Sequence, residues 1–151
     1  MTRLSLRSLL EKGHLRAHKT SSRDIAEILK AADRDLADAQ IRGLSADRQF
    51  VTAYSAALLV ATAALAASGY RTTQEGHHYW TIQSLAFTVE LDTKTIAQHD
   101  AFRRKRNITD YERVGMVSEQ EIGEMLALAK KLRAMIVDWL KKNYPELATE
   151  I

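Results

Sequence analysis

Four cationic side chains, Arg103, Arg104, Lys105 and Arg106, stand in a row and are followed closely by Asn107, Asp110 and Tyr111. A guanidinium matches phosphate oxygens bidentately, and a neighbouring amide, carboxylate and phenol can orient such a ligand. On a helix, His99, Phe102, Arg103 and Arg106 follow i, i+3, i+4, i+7 spacing and share a face, while Arg104 and Lys105 point elsewhere. The helix is expected to end at Arg106, with Asn107, Asp110 and Tyr111 folded close by, which describes a phosphate-binding cleft. The same residues also fit a plain carboxyl-terminal helix end. The cations would then be stabilised by the helix dipole and Asn107 would serve as a left-handed cap. Asp110 would pair with an arginine, and Arg104 and Lys105 would be solvated.

Other chemistry is sparse. His77 and His78 are adjacent, so on a helix they point in different directions and are poorly placed to share a metal. They are read as helix-start or partly exposed histidines. The chain has no cysteine, and no phosphate-cradling glycine loop, HExxH or GxSxG motif. Glu121 and Glu124 belong to a solvated helix face. No metal and no cofactor is expected.

These residues need a scaffold, and the periodicity supplies helices. Residues 3–17 are expected to form a short helix weakened by Gly13. Ser21 can cap the next helix, whose apolar positions are Ile25, Ile28, Leu29, Ala32, Leu36 and Ala39, with Gly43 placed to end it. Ser45 can cap an Ala-rich helix running to about Gly69. GYRTTQEGHHYW is a connection, followed by a shorter helix with Ile82, Leu85, Ala86 and Val89 inward. Asp92 or Thr93 can cap the helix that carries the basic cluster, and the RNITDYERVGMV stretch is expected to be irregular. Ser118 and Glu121 form a capping box for the last helix. Its stripe is Ile122, Met125, Leu126, Ala129, Leu132, Ile136, Trp139 and Leu140, with Pro145 beyond its end. No strand-like alternation competes. The fold class is therefore all-α, an antiparallel bundle of four to five helices.

Residues 1–20 carry five cations against Glu11, a net of +4, which leaves −1 for the rest of a chain whose formal charge is +3. The chain divides into a basic amino-terminal helix or arm, 1–20, and a bundle domain, 21–151. The uncharged stretch 49–70 is rich in alanine and only mildly apolar, so it is read as a central core helix rather than a membrane span. The start MTRLSLRSLL has too short an apolar run for a secretory leader. A cytoplasmic protein with no membrane partner is expected.

In the order of its helices and in RRKRN…DY, the chain resembles the HEPN superfamily of nucleotide- and RNA-associated helical bundles. The resemblance spans about residues 22–142. It includes the DRDLADA and AYSAALLVATAALAASGYR helices and the GHH segment. The family signature is an arginine, a polar residue and then a histidine. Arg106 and Asn107 match its first two members, whereas Tyr111, Glu112 and Arg113 fill the places open to the histidine. The resemblance implies an RNA-binding protein or a metal-independent ribonuclease toxin, working as a homodimer and opposed by a nucleotidyltransferase-type antitoxin. In that case Arg106 and Tyr111 are the catalytic candidates, and Arg103, Asn107 and Asp110 bind substrate. The alternative is a non-catalytic module that binds a nucleotidyltransferase or another protein. Tyrosine, with a phenol pKa of ~10, is a weak base at neutral pH where histidine is an effective one. Binding is thus the firmer expectation than cleavage.

Overall fold

The computed structural model describes residues 4–111 and 117–151, with the backbone alone for 108–111. It is an all-α bundle carrying one small two-stranded sheet among the described residues. The order is α1 (Leu6–Glu11), β1 (Leu15–Ala17), α2 (Ser22–Asp38), α3 (Ala46–Ala67), β2 (Tyr70–Thr72), α4 (His77–Thr88), α5 (Thr93–Tyr111) and α6 (Glu119–Asn143). A short 3₁₀ turn, Pro145–Leu147, follows.

The axis of the bundle is α3, which touches α2, α4, α5 and α6. Its alanines explain how one helix can serve four neighbours. Ala53, Ala56, Ala57, Ala61, Ala63 and Ala64 are fully buried, and side chains this small let the neighbouring backbones approach closely. By length and composition α3 could cross a membrane, yet 67% of its most apolar window is buried inside the bundle. Phe50 meets Phe102 edge to face at 5.7 Å, tying α5 to this core.

The helix starts follow the expected caps. Ser21, Ser45 and Ser118 each accept a backbone N–H from the third residue on, and Glu121 returns the bond to the Ser118 N–H. Asp92 caps α5 by accepting both the N–H and the hydroxyl of Thr95. The last helix buries Ile122, Met125, Ala129, Leu132, Ile136 and Leu140, with Trp139 and Leu126 half-buried.

Three expectations about the elements are corrected. The segment 3–17 is not one helix: α1 stops at Glu11, Gly13 takes a positive φ of 82°, and β1 then pairs antiparallel with β2. The partner strand lies more than fifty residues away and each strand has only three residues, too few to show alternation. Leu9 and Leu15 pack against Leu65, Trp80 and Phe87, which docks the amino-terminal segment on α3 and α4. Second, α2 ends at Asp38, before Gly43, and the Gln40 side-chain amide donates to the Leu36 carbonyl of its last turn. Third, α5 runs past Arg106 to Tyr111, so Asn107 is an ordinary helical residue and not a left-handed cap.

Candidate functional site

Continuing α5 through Asn107 changes which residues meet. Asn, Ile, Thr, Asp and Tyr are mediocre helix formers, but none of them breaks a helix. Arg103 and Asn107 therefore lie one turn apart on a face directed at the start of α4. Between the two helices is an open cavity of about 240 Å³ lined by Gln74, Gly76, His77, His78, Tyr79, Arg103 and Asn107.

Three helices meet behind His78, one of the residues that line this cavity. The Tyr54 hydroxyl of α3 lies 3.2 Å from Nδ1 of His78 on α4. The Tyr54 ring also faces His99 of α5 edge-on, at 5.9 Å between centroids. Tyr54 is buried, His99 is fully buried and His78 is half-buried. Burial holds the Tyr54 phenol well above its usual range, against the pull of Arg106 and Arg103. Burial also pushes the His78 imidazole down to about 4, and His77, Arg106 and Arg103 add to that shift. Burial lowers His99 to about 4 as well, with Asp100 opposing. At neutral pH these three groups are uncharged, and the positive charge of the site is guanidinium charge.

With the phenol protonated and the imidazole neutral, Tyr54 and His78 share a hydrogen bond whose direction follows the His78 tautomer. Where Tyr54 donates to Nδ1, His78 carries its own proton on Nε2 and presents a donor there.

Arg103 is held from two sides. Its Nε donates to Asp100 Oδ1 at 2.7 Å, and its guanidinium carbon lies 5.4 Å from the centre of the Tyr79 ring. Both members of the ion pair are about four-fifths covered, so the guanidinium is fixed in place rather than swinging in solvent. The remaining N–H groups of the fork stay available for a ligand.

The expected shared face of α5 holds, although its residues divide by depth. His99 and Phe102 enter the core, whereas Arg103 and Arg106 stay half-buried beside Tyr54 and His78. The cavity joins Arg103 to Asn107. Asp110 and Tyr111 continue α5 at i+3 and i+4 from Asn107, and their side chains lie outside the described residues. Arg104 is solvated as expected, with its side chain 66% exposed. Lys105 differs from expectation: only 24% exposed, it reaches Glu121 Oε2 at 3.4 Å and joins α5 to the start of α6.

Tyr54, Tyr79 and Asp100 carry no site signal in the sequence, and His78 stands out there only as half of an adjacent histidine pair. The GHHYW segment was visible, but its histidines gain meaning only through Tyr54, which lies 24 positions before His78. Comparison with protein-family models found no match, and a search of curated proteins found none either.

Proposed function

We propose that the protein binds RNA, with a backbone phosphate held in the cleft between α4 and α5. The observation that carries this reading is the convergence of donors on one cavity. These are the fixed Arg103 guanidinium, the Asn107 amide and the imidazoles of His77 and His78. All of these groups can donate to phosphate oxygens, and among the described residues no carboxylate lines the cavity. The resemblance to HEPN domains points the same way and adds a homodimer that brings two such clefts together, with Arg106 as a second phosphate ligand.

Cleavage without a metal needs a base for the ribose 2′-hydroxyl and an acid for the leaving 5′-oxygen. Among the described residues, His78 Nδ1 is engaged with Tyr54 and His99 is sealed in the core, whereas His77 is an exposed imidazole of the cavity. The reading is binding first, with His77 and Tyr111 the candidates for proton transfer.

The test is fluorescence anisotropy of a labelled single-stranded RNA at several salt concentrations. Binding should be saturable, and Arg103→Ala should weaken it and lower the salt slope by about one counterion. Absence of binding at low salt by folded, full-length protein would sink the proposal. Incubation with unlabelled RNA in chelator, scored for cyclic-phosphate ends, separates a binder from a ribonuclease. Co-purification of a stoichiometric protein in place of RNA would favour the partner-module alternative.

A further inference from the structure

The α4–α5 cleft does not stop at its own rim. Gly76, which lines it, also lines a second cavity of about 320 Å³ formed with Lys12, Gly13, His14, Thr73, Glu75 and Trp80. The two hollows therefore meet at a residue without a side chain. In the second one, the imidazole of His14 is stacked on the indole of Trp80, at 3.9 Å between centroids and 21° between planes. Next to it, the sheet register sets Arg16 directly opposite Arg71. Both arginines are exposed, and neither joins an ion pair among the described residues. Like charges facing each other across a strand pair destabilise it, and an anion placed between them removes that cost.

We propose that a single RNA strand runs from the α4–α5 cleft across Gly76 to the His14–Trp80 stack, and that the amino-terminal segment is part of the binding surface. This extends the RNA reading above and rests on it. A flat imidazole–indole stack offers a face to a nucleobase whatever its identity, while cations spaced beside it track the phosphates. Lys12 and the Arg16–Arg71 pair supply those cations. Glu75 is an acceptor suited to a sugar hydroxyl and not to a phosphate. A double helix keeps its base faces hidden, so stacking of this kind selects a single strand. The docking of Leu9 and Leu15 on α3 and α4 holds the segment in place for this role.

The experiment uses full-length protein labelled with 5-fluorotryptophan. Its two tryptophans, Trp80 and Trp139, give two ¹⁹F signals, assigned with Trp139→Phe. Titration with an oligoadenylate decamer should shift the Trp80 signal and leave that of Trp139, packed against Tyr144 on α6, in place. Lys12→Ala combined with Arg16→Ala should lower the salt slope by about two counterions while the ¹⁹F spectrum of the free protein stays native. If RNA binds saturably with the Trp80 signal unmoved and the salt slope unchanged, the track is overturned and the cleft reading stands. If no RNA binds, both fall together.

Discussion

Tyr54 on α3 and His78 on α4 meet through a 3.2 Å contact between the phenol oxygen and Nδ1, and His78 lines the cavity that Arg103 and Asn107 close from α5. The contact joins the core helix to the rim of the site, and it is where a buried residue would select the His78 tautomer. Tyr54→Phe keeps the ring and removes the hydroxyl. Nδ1 and Nε2 tautomers of His78 should then both become populated, visible in ¹⁵N imidazole shifts. Affinity for RNA should fall about three- to tenfold, the loss of one ordinary hydrogen bond. Global stability should drop by about 1 kcal/mol in urea unfolding. An unchanged imidazole spectrum would show that Tyr54 does not set the tautomer.

His99 gives the bundle a weakness toward acid. It is fully buried, and neither ring nitrogen has a hydrogen-bond partner among the described residues. Burial lowers its pKa from 6.5 to about 4, with Asp100 opposing and His78 adding to the shift. The folded pKa lies below the unfolded one, so below pH 6.5 the unfolded chain takes up a proton that the folded chain refuses. Stability is therefore full above that pH and falls as pH drops toward 4, by roughly 3 kcal/mol at most. His78 titrates in the same direction. Replacing His99 by Leu removes two unsatisfied buried nitrogens. The variant should be more stable than the parent by about 1–2 kcal/mol at pH 7. It should also lose less stability between pH 7 and pH 5 when the two are compared by urea unfolding.

The helices were legible in the sequence wherever a local rule decides them. Ser21, Ser45, Asp92 and Ser118 each act within three residues of their partners, so their caps could be read directly. The β1–β2 ribbon could not, because its pairing of Leu15 with Thr72 is entirely non-local. The end of α5 differs from the expectation at Arg106 for a related reason. Apolar periodicity lapses after Arg106, but a helix ends only when its backbone is capped or broken. For the site, the arginine and amide on one helix were visible from spacing alone. The aromatic and imidazole groups that complete it arrive from α3 and α4 and depend on packing.

Lys105 and Glu121 show the basic run acting as a structural tie. Glu121 accepts the Ser118 N–H in the capping box of α6 and also pairs with Lys105 of α5. Its carboxyl is held below the usual range, chiefly by the Ser118 backbone bond, with Lys105 contributing. Glu121→Ala should therefore lose both a cap partner and an interhelical bridge, about 1–2 kcal/mol in all. Lys105→Ala should lose the bridge while keeping the capping box, and the bridge contributes under 1 kcal/mol. Thermal unfolding of the two single variants and the double variant measures the coupling. Strictly additive losses would mean that the Lys105–Glu121 contact contributes nothing to stability.

Gly76 separates backbone demand from side-chain space at the junction of the two cavities. Its φ of +65° lies in the left-handed region, immediately before α4. A Cβ added there would meet Trp80 Cδ1 at 3.4 Å, an ordinary van der Waals contact, so space is not the obstacle. The obstacle is the conformation, which costs an L-residue roughly 1–2 kcal/mol and costs asparagine less. Gly76→Ala should therefore lower unfolding free energy by about 1 kcal/mol, and Gly76→Asn by clearly less, although asparagine is the larger residue. That order identifies backbone strain, while the reverse order would identify crowding against Trp80. Both variants place atoms on the bridge between the α4–α5 cleft and the His14–Trp80 stack. Both should therefore weaken binding of an RNA decamer more than binding of a dinucleotide, which occupies the cleft alone. Equal weakening for the two lengths would mean that the strand does not cross Gly76.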